Sequence, residues 1–93
     1  MKLADDVRLS DDVVTRTVGE EVVLLNLATG TYFGLDPVGG RFLALIEQGK
    51  SALEARDALL ETYSVAPDVL DRDLEALLDQ LAANSILDKG PFE

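Results

Sequence analysis

The sequence contains no cysteine, no histidine and no tryptophan. Without cysteine there are no disulfide bonds, no thiolate nucleophiles and no zinc sites with sulfur ligands. Without histidine the commonest metal ligand and general base is missing, so we expect neither a bound metal nor a cofactor. The remaining polar residues show no nucleophile with a base beside it, so we expect no catalytic residues and a protein that is not an enzyme. An enzyme that works with Asp, Glu, Ser or Tyr alone stays open as an alternative.

Basic residues are also scarce, because 8 Lys and Arg stand against 18 Asp and Glu, for a net charge of −10. This charge opposes binding to phosphate backbones and anionic lipid, so we expect no nucleic-acid partner and no membrane. The first ten residues lack the apolar run of a signal peptide, and no stretch reaches the roughly 18 apolar residues of a membrane span. These features predict a cytosolic protein.

The 93 residues predict one domain, 1–93, whose character changes near Asp36. Before Asp36 the chain is rich in Val, Thr and Leu and is interrupted by Gly19 and Gly30, a pattern typical of a three-stranded meander. After Asp36 helix-forming residues dominate. The sequence therefore predicts an α+β domain with three strands followed by three helices, and a frayed end at 89–93.

The second hairpin predicts a register. A type I turn at Ala28 and Thr29, with Gly30 in the left-handed region, puts Leu27 opposite Thr31. The pairs that follow are Leu25–Phe33 and Val23–Leu35 on one face, and Asn26–Tyr32 and Leu24–Gly34 on the other. We expect the first face to be the core; the register of the first strand stays open.

Local signals mark the ends of all three helices. Asp36 is positioned to cap a helix that begins at Pro37, and Ser51 and Glu54 form a capping box. The third helix follows Pro67 and ends near Asn84. Its predicted core stripe consists of Leu70, Leu74, Leu77, Leu78 and Leu81, with Ile86 folding back over the last turn. Gly39 and Gly40 predict close packing of the first helix.

The third strand is short, uncharged and free of the Lys or Pro that protects an exposed edge, so we expect an open margin there beside the third helix. Along that helix, 3.6-residue periodicity places one strip next to the core stripe. The strip consists of Val69, Asp73, Ala76, Leu77 and Gln80. With Asp71, Glu75 and Asp79 nearby, it is either a solvated surface or a surface that attracts cations.

The stretch from Asn26 to Gly39 reads N-L-x-T-G-x-Y-F-x-L-D-x-V-G, and a leucine-rich helix follows it. In these residues the chain resembles the PqqD family, the pyrroloquinoline quinone biosynthesis protein D-like peptide chaperones also called RiPP recognition elements. The resemblance extends over residues 7–88. Because no enzyme domain is fused to it, the sequence is most similar to the stand-alone members, including those of lasso-peptide pathways.

The resemblance implies a winged helix-turn-helix with a three-stranded antiparallel sheet, in which the third strand and third helix form a cleft. It implies two partners: the leader of a ribosomally synthesised precursor peptide, which adds as a strand to the third strand, and a downstream maturation enzyme such as a protease, a cyclase or a radical enzyme. On this sequence the implied peptide-binding residues are Thr31, Tyr32, Phe33, Gly34, Leu35, Val69, Asp73, Ala76, Leu77 and Gln80.

Two other functions remain open from the sequence alone. The free strand edge would also suit a structural subunit that pairs with a second copy, as a homodimer, or with a larger enzyme. A winged-helix DNA regulator would need a basic recognition helix. The acidic third helix, in which Arg72 is the one basic residue, argues against that second alternative.

Overall fold

The computed structural model describes residues 2–3 and 7–87. Its elements are β1 (Val13–Val18), β2 (Glu21–Asn26), β3 (Tyr32–Leu35), α1 (Pro37–Glu47), α2 (Ala52–Thr62) and α3 (Pro67–Ala83). The sheet is antiparallel with β2 in the centre and β3 at one edge. The predicted α+β class and order of elements are confirmed. The predicted frayed end lies outside the described residues.

The first hairpin turns tightly at Gly19, one of the two glycines that interrupt the predicted strands. Val18 pairs with Glu21, and Gly19 between them has a φ of +64°. This left-handed conformation is open to glycine at little cost. The turn sets the register of β1, in which Val13 lies opposite Asn26.

The second hairpin differs by one residue from the predicted register. Leu24 lies opposite Phe33, and Leu25 lies opposite Tyr32. All five predicted pairs are therefore wrong: Leu27–Thr31, Leu25–Phe33, Val23–Leu35, Asn26–Tyr32 and Leu24–Gly34. A slip of one residue exchanges the two faces of a strand. Leu24 is fully buried and Leu27 is 64% exposed, so the expected core face is wrong for β2. In β3 the expectation holds, because Leu35 is in the core and Phe33 packs against it.

Asn26 explains the shift. Its side-chain oxygen accepts hydrogen bonds from the backbone of Ala28, at 2.9 Å, and Thr29, at 3.2 Å, while its backbone N–H donates to the Thr31 carbonyl at 2.8 Å. These bonds close a loop one residue longer than the predicted one. The Asn26 Nδ2 donates to the Ser85 carbonyl at 2.6 Å, so this buried amide also joins the hairpin to the turn after α3.

The predicted helix starts are confirmed. The Asp36 Oδ1 accepts a hydrogen bond from the Gly39 N–H at 2.8 Å, and both bonds of the Ser51–Glu54 capping box are present. Gly40 lets α1 pack closely on the sheet, because a Cβ at this position would lie 2.6 Å from the Cγ2 of Val22.

The helices cover one face of the sheet, and the core lies between them. Leu70, Leu74, Leu78 and Leu81 of α3 are buried, and Leu77 is partly buried. Ile86 folds back as predicted, since its N–H donates to the Leu81 carbonyl at 3.0 Å. Within the described residues, no helix is long and apolar enough to cross a membrane.

Candidate functional site

An open cleft with a volume of about 370 Å³ lies between β3 and α3. The strand and the start of α1 form one side, and α3 forms the other. The connection between α2 and α3 also contributes. The lining residues are Phe33, Gly34, Leu35, Asp36, Val38, Gly39, Tyr63, Val65, Leu70, Asp73, Leu74, Leu77 and Gln80.

The strand side of the cleft ends in a free backbone edge. The bond from Asn26 N–H to the Thr31 carbonyl shows that Thr31 points its backbone groups at β2. Direction alternates along an antiparallel strand, so Phe33 also points at β2. Tyr32 and Gly34 point their N–H and C=O groups the other way. Because β3 is the outermost strand in the described part of the chain, these groups face outward beside the cleft.

The side chains of β3 divide between the two faces of the sheet. Phe33 and Leu35 lie on the helix side and line the cleft, with Leu35 only 4% exposed. Tyr32 lies on the opposite face and is 69% exposed. A strand added along β3 would therefore meet an apolar cleft on one face and Tyr32 on the other.

The helix side presents Asp73, Leu77 and Gln80 at intervals of four and three residues, which place them on one face of α3. Leu70 and Leu74 lie deeper and belong to the core. Gly39 brings α1 near this wall, since a Cβ at Gly39 would lie 3.4 Å from the Cδ2 of Leu77.

Six of the ten predicted site residues line the cleft: Phe33, Gly34, Leu35, Asp73, Leu77 and Gln80. The other four, Thr31, Tyr32, Val69 and Ala76, do not. Their peptide-binding role stays a prediction, as does that of the six. The sequence prediction did not include Val38, Tyr63 and Val65, two valines and a tyrosine that line the cleft outside β3 and α3.

The acidic residues of α3 do not act as one group. Asp73 lines the cleft, but the Oδ1 of Asp71 lies 3.5 Å from the Nη1 of Arg56 on α2. The Oε2 of Glu75 accepts a hydrogen bond from the Leu3 N–H at 3.2 Å. The cleft lining includes Asp73 and Asp36 and has no Lys or Arg from the described residues. Its charge is therefore negative but small.

The comparisons with known proteins agree with the fold. The sequence model of the PqqD family, coenzyme PQQ synthesis protein D, matches residues 21–87, and the chain belongs to this family. Among solved structures, TbiB1 in complex with the TbiA(beta) leader peptide is 47% identical, with a TM-score of 0.81 over 87% of this chain and 94% of that one.

A second solved structure, lasso peptide synthetase B1 complexed with the leader peptide, has a TM-score of 0.80 over 90% of this chain and 99% of that one. At 23% identity, it supports the fold alone. No curated protein sequence matches the chain.

Proposed function

We propose that the chain binds the leader of a ribosomally synthesised precursor peptide as a strand added to β3, and presents the peptide to a separate maturation enzyme. The observation that carries the proposal is the outward-facing backbone of Tyr32 and Gly34 beside the β3–α3 cleft. The 47% identical TbiB1 binds a leader peptide, which supports the same ligand class here.

In strand addition, the backbone and the side chains of the site contribute differently to binding. Main-chain hydrogen bonds give affinity, and pockets for alternate side chains give selection. A peptide residue opposite Phe33 would point into the cleft, where Leu77 and Val38 favour an apolar side chain. Asp73 at the rim of the cleft favours a cationic peptide residue nearby. Charges at the rim of an interface mainly change the association rate.

In this proposal the chain is a non-catalytic protein of the cytosol. It holds the leader, and the groups that make or break bonds in the precursor belong to the maturation enzyme. The cleft lining supports a binding role, because most of its side chains are apolar and its polar ones, from the described residues, are Asp36, Asp73, Tyr63 and Gln80, without Ser, Thr or Lys.

The test is an N-methyl scan of the TbiA(beta) leader, measured by calorimetric titration. Methylation removes one amide donor from the peptide and leaves the protein unchanged. Because Tyr32 and Gly34 are two residues apart, we expect two sensitive amides, also two residues apart, with a tolerant amide between them. Each sensitive position should weaken binding by about 1 kcal/mol or more. Strand addition is wrong if the leader binds and no position reaches that loss.

Sedimentation velocity tests the competing use of the same edge. If β3 serves the peptide, the free protein should stay monomeric as its concentration rises, and its mass should increase by one peptide on addition of leader. A concentration-dependent dimer that leader does not dissociate would favour the structural-subunit alternative.

A further inference from the structure

Within the described part of the chain, neither the backbone conformation nor a close neighbour requires glycine at position 34. Gly34 lies within β3, its φ is not positive, and a Cβ built on it would meet no atom of the described residues within 4 Å. Glycine in a strand weakens the strand, and it often marks a place where a ligand or another backbone comes close. The space beside Gly34 is therefore available to something outside the chain.

Tyr32 lies next to this space. It is on the same face of β3 as Gly34, the face away from the helices, and it is 69% exposed. Val23 of β2 pairs with Gly34 and forms the other side of the space. An exposed tyrosine, a valine and an open glycine position thus form a shallow slot on the outer face of the sheet. The slot is apolar towards Tyr32, and beyond Gly34 it is bordered by Glu20, Glu21 and Asp36.

The slot and the free edge belong to the same residues. The outward-facing backbone groups are those of Tyr32 and Gly34, so a strand bonded to them would have one residue directly opposite Gly34. The side chain of that residue would lie on the outer face, because opposite residues in a sheet share a face.

We propose that this slot is a second side-chain subsite, on the outer face of the sheet, and that it takes a large apolar or aromatic residue of the bound peptide. The inference rests on the proposed function, since the occupant is the added strand itself. A large side chain would cover Gly34 and contact Tyr32 diagonally, in the way that aromatic residues cover glycine in a neighbouring strand. The outer face and the cleft would then both determine which peptides bind.

The test begins with selection from a displayed library of random peptides on the native protein. A selected peptide is then titrated against the native protein and Gly34→Val. The added side chain fills the slot in open space, so Gly34→Val should keep or raise the melting temperature, because valine favours strands. Gly34→Val should weaken binding of the selected peptide roughly tenfold, because the new valine occupies the space over position 34 into which the large peptide side chain packs.

Arg16→Val is the matched control. Arg16 pairs with Val23 from the β1 side, in the same row of the outer face but away from β3. This variant should bind the selected peptide as the native protein does. A second selection, on Gly34→Val, should return peptides with a small residue at the position that faced Gly34, and this rescue excludes a folding defect.

The outcomes separate the two proposals. If no peptide is enriched on the native protein, both the proposed function and the subsite are wrong. If peptides are enriched but bind Gly34→Val with unchanged affinity, the subsite is wrong, and the N-methyl scan decides on strand addition separately. Tenfold weakening with unchanged binding to Arg16→Val supports the subsite.

Discussion

The two sides of α3 differ in what they contact. Leu78 and Leu81 face the core and are fully buried, whereas Asp73, Leu77 and Gln80 line the open cleft. Helix α3 therefore contributes side chains both to the core of the domain and to one wall of the candidate site. If the peptide binds in this cleft as proposed, we expect that substitutions one residue apart change stability and peptide affinity separately.

Leu78→Ala and Leu77→Ala compare the core side of α3 with its cleft side through the same substitution. Leu78→Ala should lower the free energy of unfolding by about 2–5 kcal/mol, because it leaves a cavity in the core. Leu77→Ala should cost less stability, since the side chain is only partly buried. It should instead weaken leader binding by about 1 kcal/mol or more, as truncation of a contact residue at the centre of an interface does.

Urea denaturation and calorimetric titration measure the two quantities. Leader affinity of Leu78→Ala should be near native under conditions where the variant is folded. The separation fails if Leu77→Ala loses as much stability as Leu78→Ala and its affinity is unchanged.

Asp73→Lys tests whether charge matters on the cleft side. If Asp73 guides cationic leaders, the association rate should fall, and the native rate should fall as salt rises, because the Debye length at 0.15 M is about 8 Å. Asp11→Lys is the control, with the same change of net charge on a residue that does not line the cleft. Stopped-flow fluorescence with a labelled leader measures both rates.

Equal effects of Asp73→Lys and Asp11→Lys would mean that only the overall charge acts. No effect of Asp73→Lys at low salt would mean that the leader is held by apolar and backbone contacts alone. Far-ultraviolet circular dichroism should be native in both variants, since exposed charges contribute little to stability.

Substitutions in the capping box of α2, which lies away from the cleft, should change stability by a smaller amount. The backbone N–H of Ser51 donates to the Glu54 carboxylate at 2.9 Å, and this bond, with the side-chain bond to Ser51, lowers the pKa of Glu54. Since the folded pKa lies below the unfolded value, the carboxylate's stabilisation is fully present above the unfolded value. It is lost as the pH falls through the folded pKa.

Ser51→Ala should lower stability at neutral pH by about 1 kcal/mol, the usual cost of a lost N-cap, with leader affinity unchanged. The stability difference between the native protein and Glu54→Gln should shrink as the pH falls through the folded pKa. Thermal unfolding across pH measures it. A difference that stays constant from neutral to acidic pH would contradict the role of the carboxylate.

The helix starts were predictable from sequence, whereas the hairpin register and the contacts between distant segments were not. Asp36 and Ser51 cap helices through bonds three residues along the chain, so their patterns predict the helix starts. The register of the second hairpin was missed for a local reason, because the turn prediction left out the bonds from the Asn26 side chain to the backbone of Ala28 and Thr29. The bond from Asn26 to Ser85, 59 residues away, could not be read from a turn pattern.

The same distinction applies to the candidate site. The free edge of β3 follows from its uncharged sequence and its position as the last strand. Helical periodicity placed Asp71 and Glu75 near Asp73, but their contacts with Arg56 and Leu3 depend on neighbouring segments. Tyr63 and Val65 were missed because the path of the α2–α3 connection depends on how those helices pack.

Amide hydrogen exchange at β3, followed by NMR with and without the TbiA(beta) leader, tests whether the peptide adds as a strand. The N–H groups of Tyr32 and Gly34 face outward in the free protein and should exchange fast. Leader should slow both, while Phe33 and Leu35, whose N–H groups already bond to β2, should change little. If the leader binds and the exchange of Tyr32 and Gly34 stays fast, the peptide does not pair with β3 and strand addition is wrong.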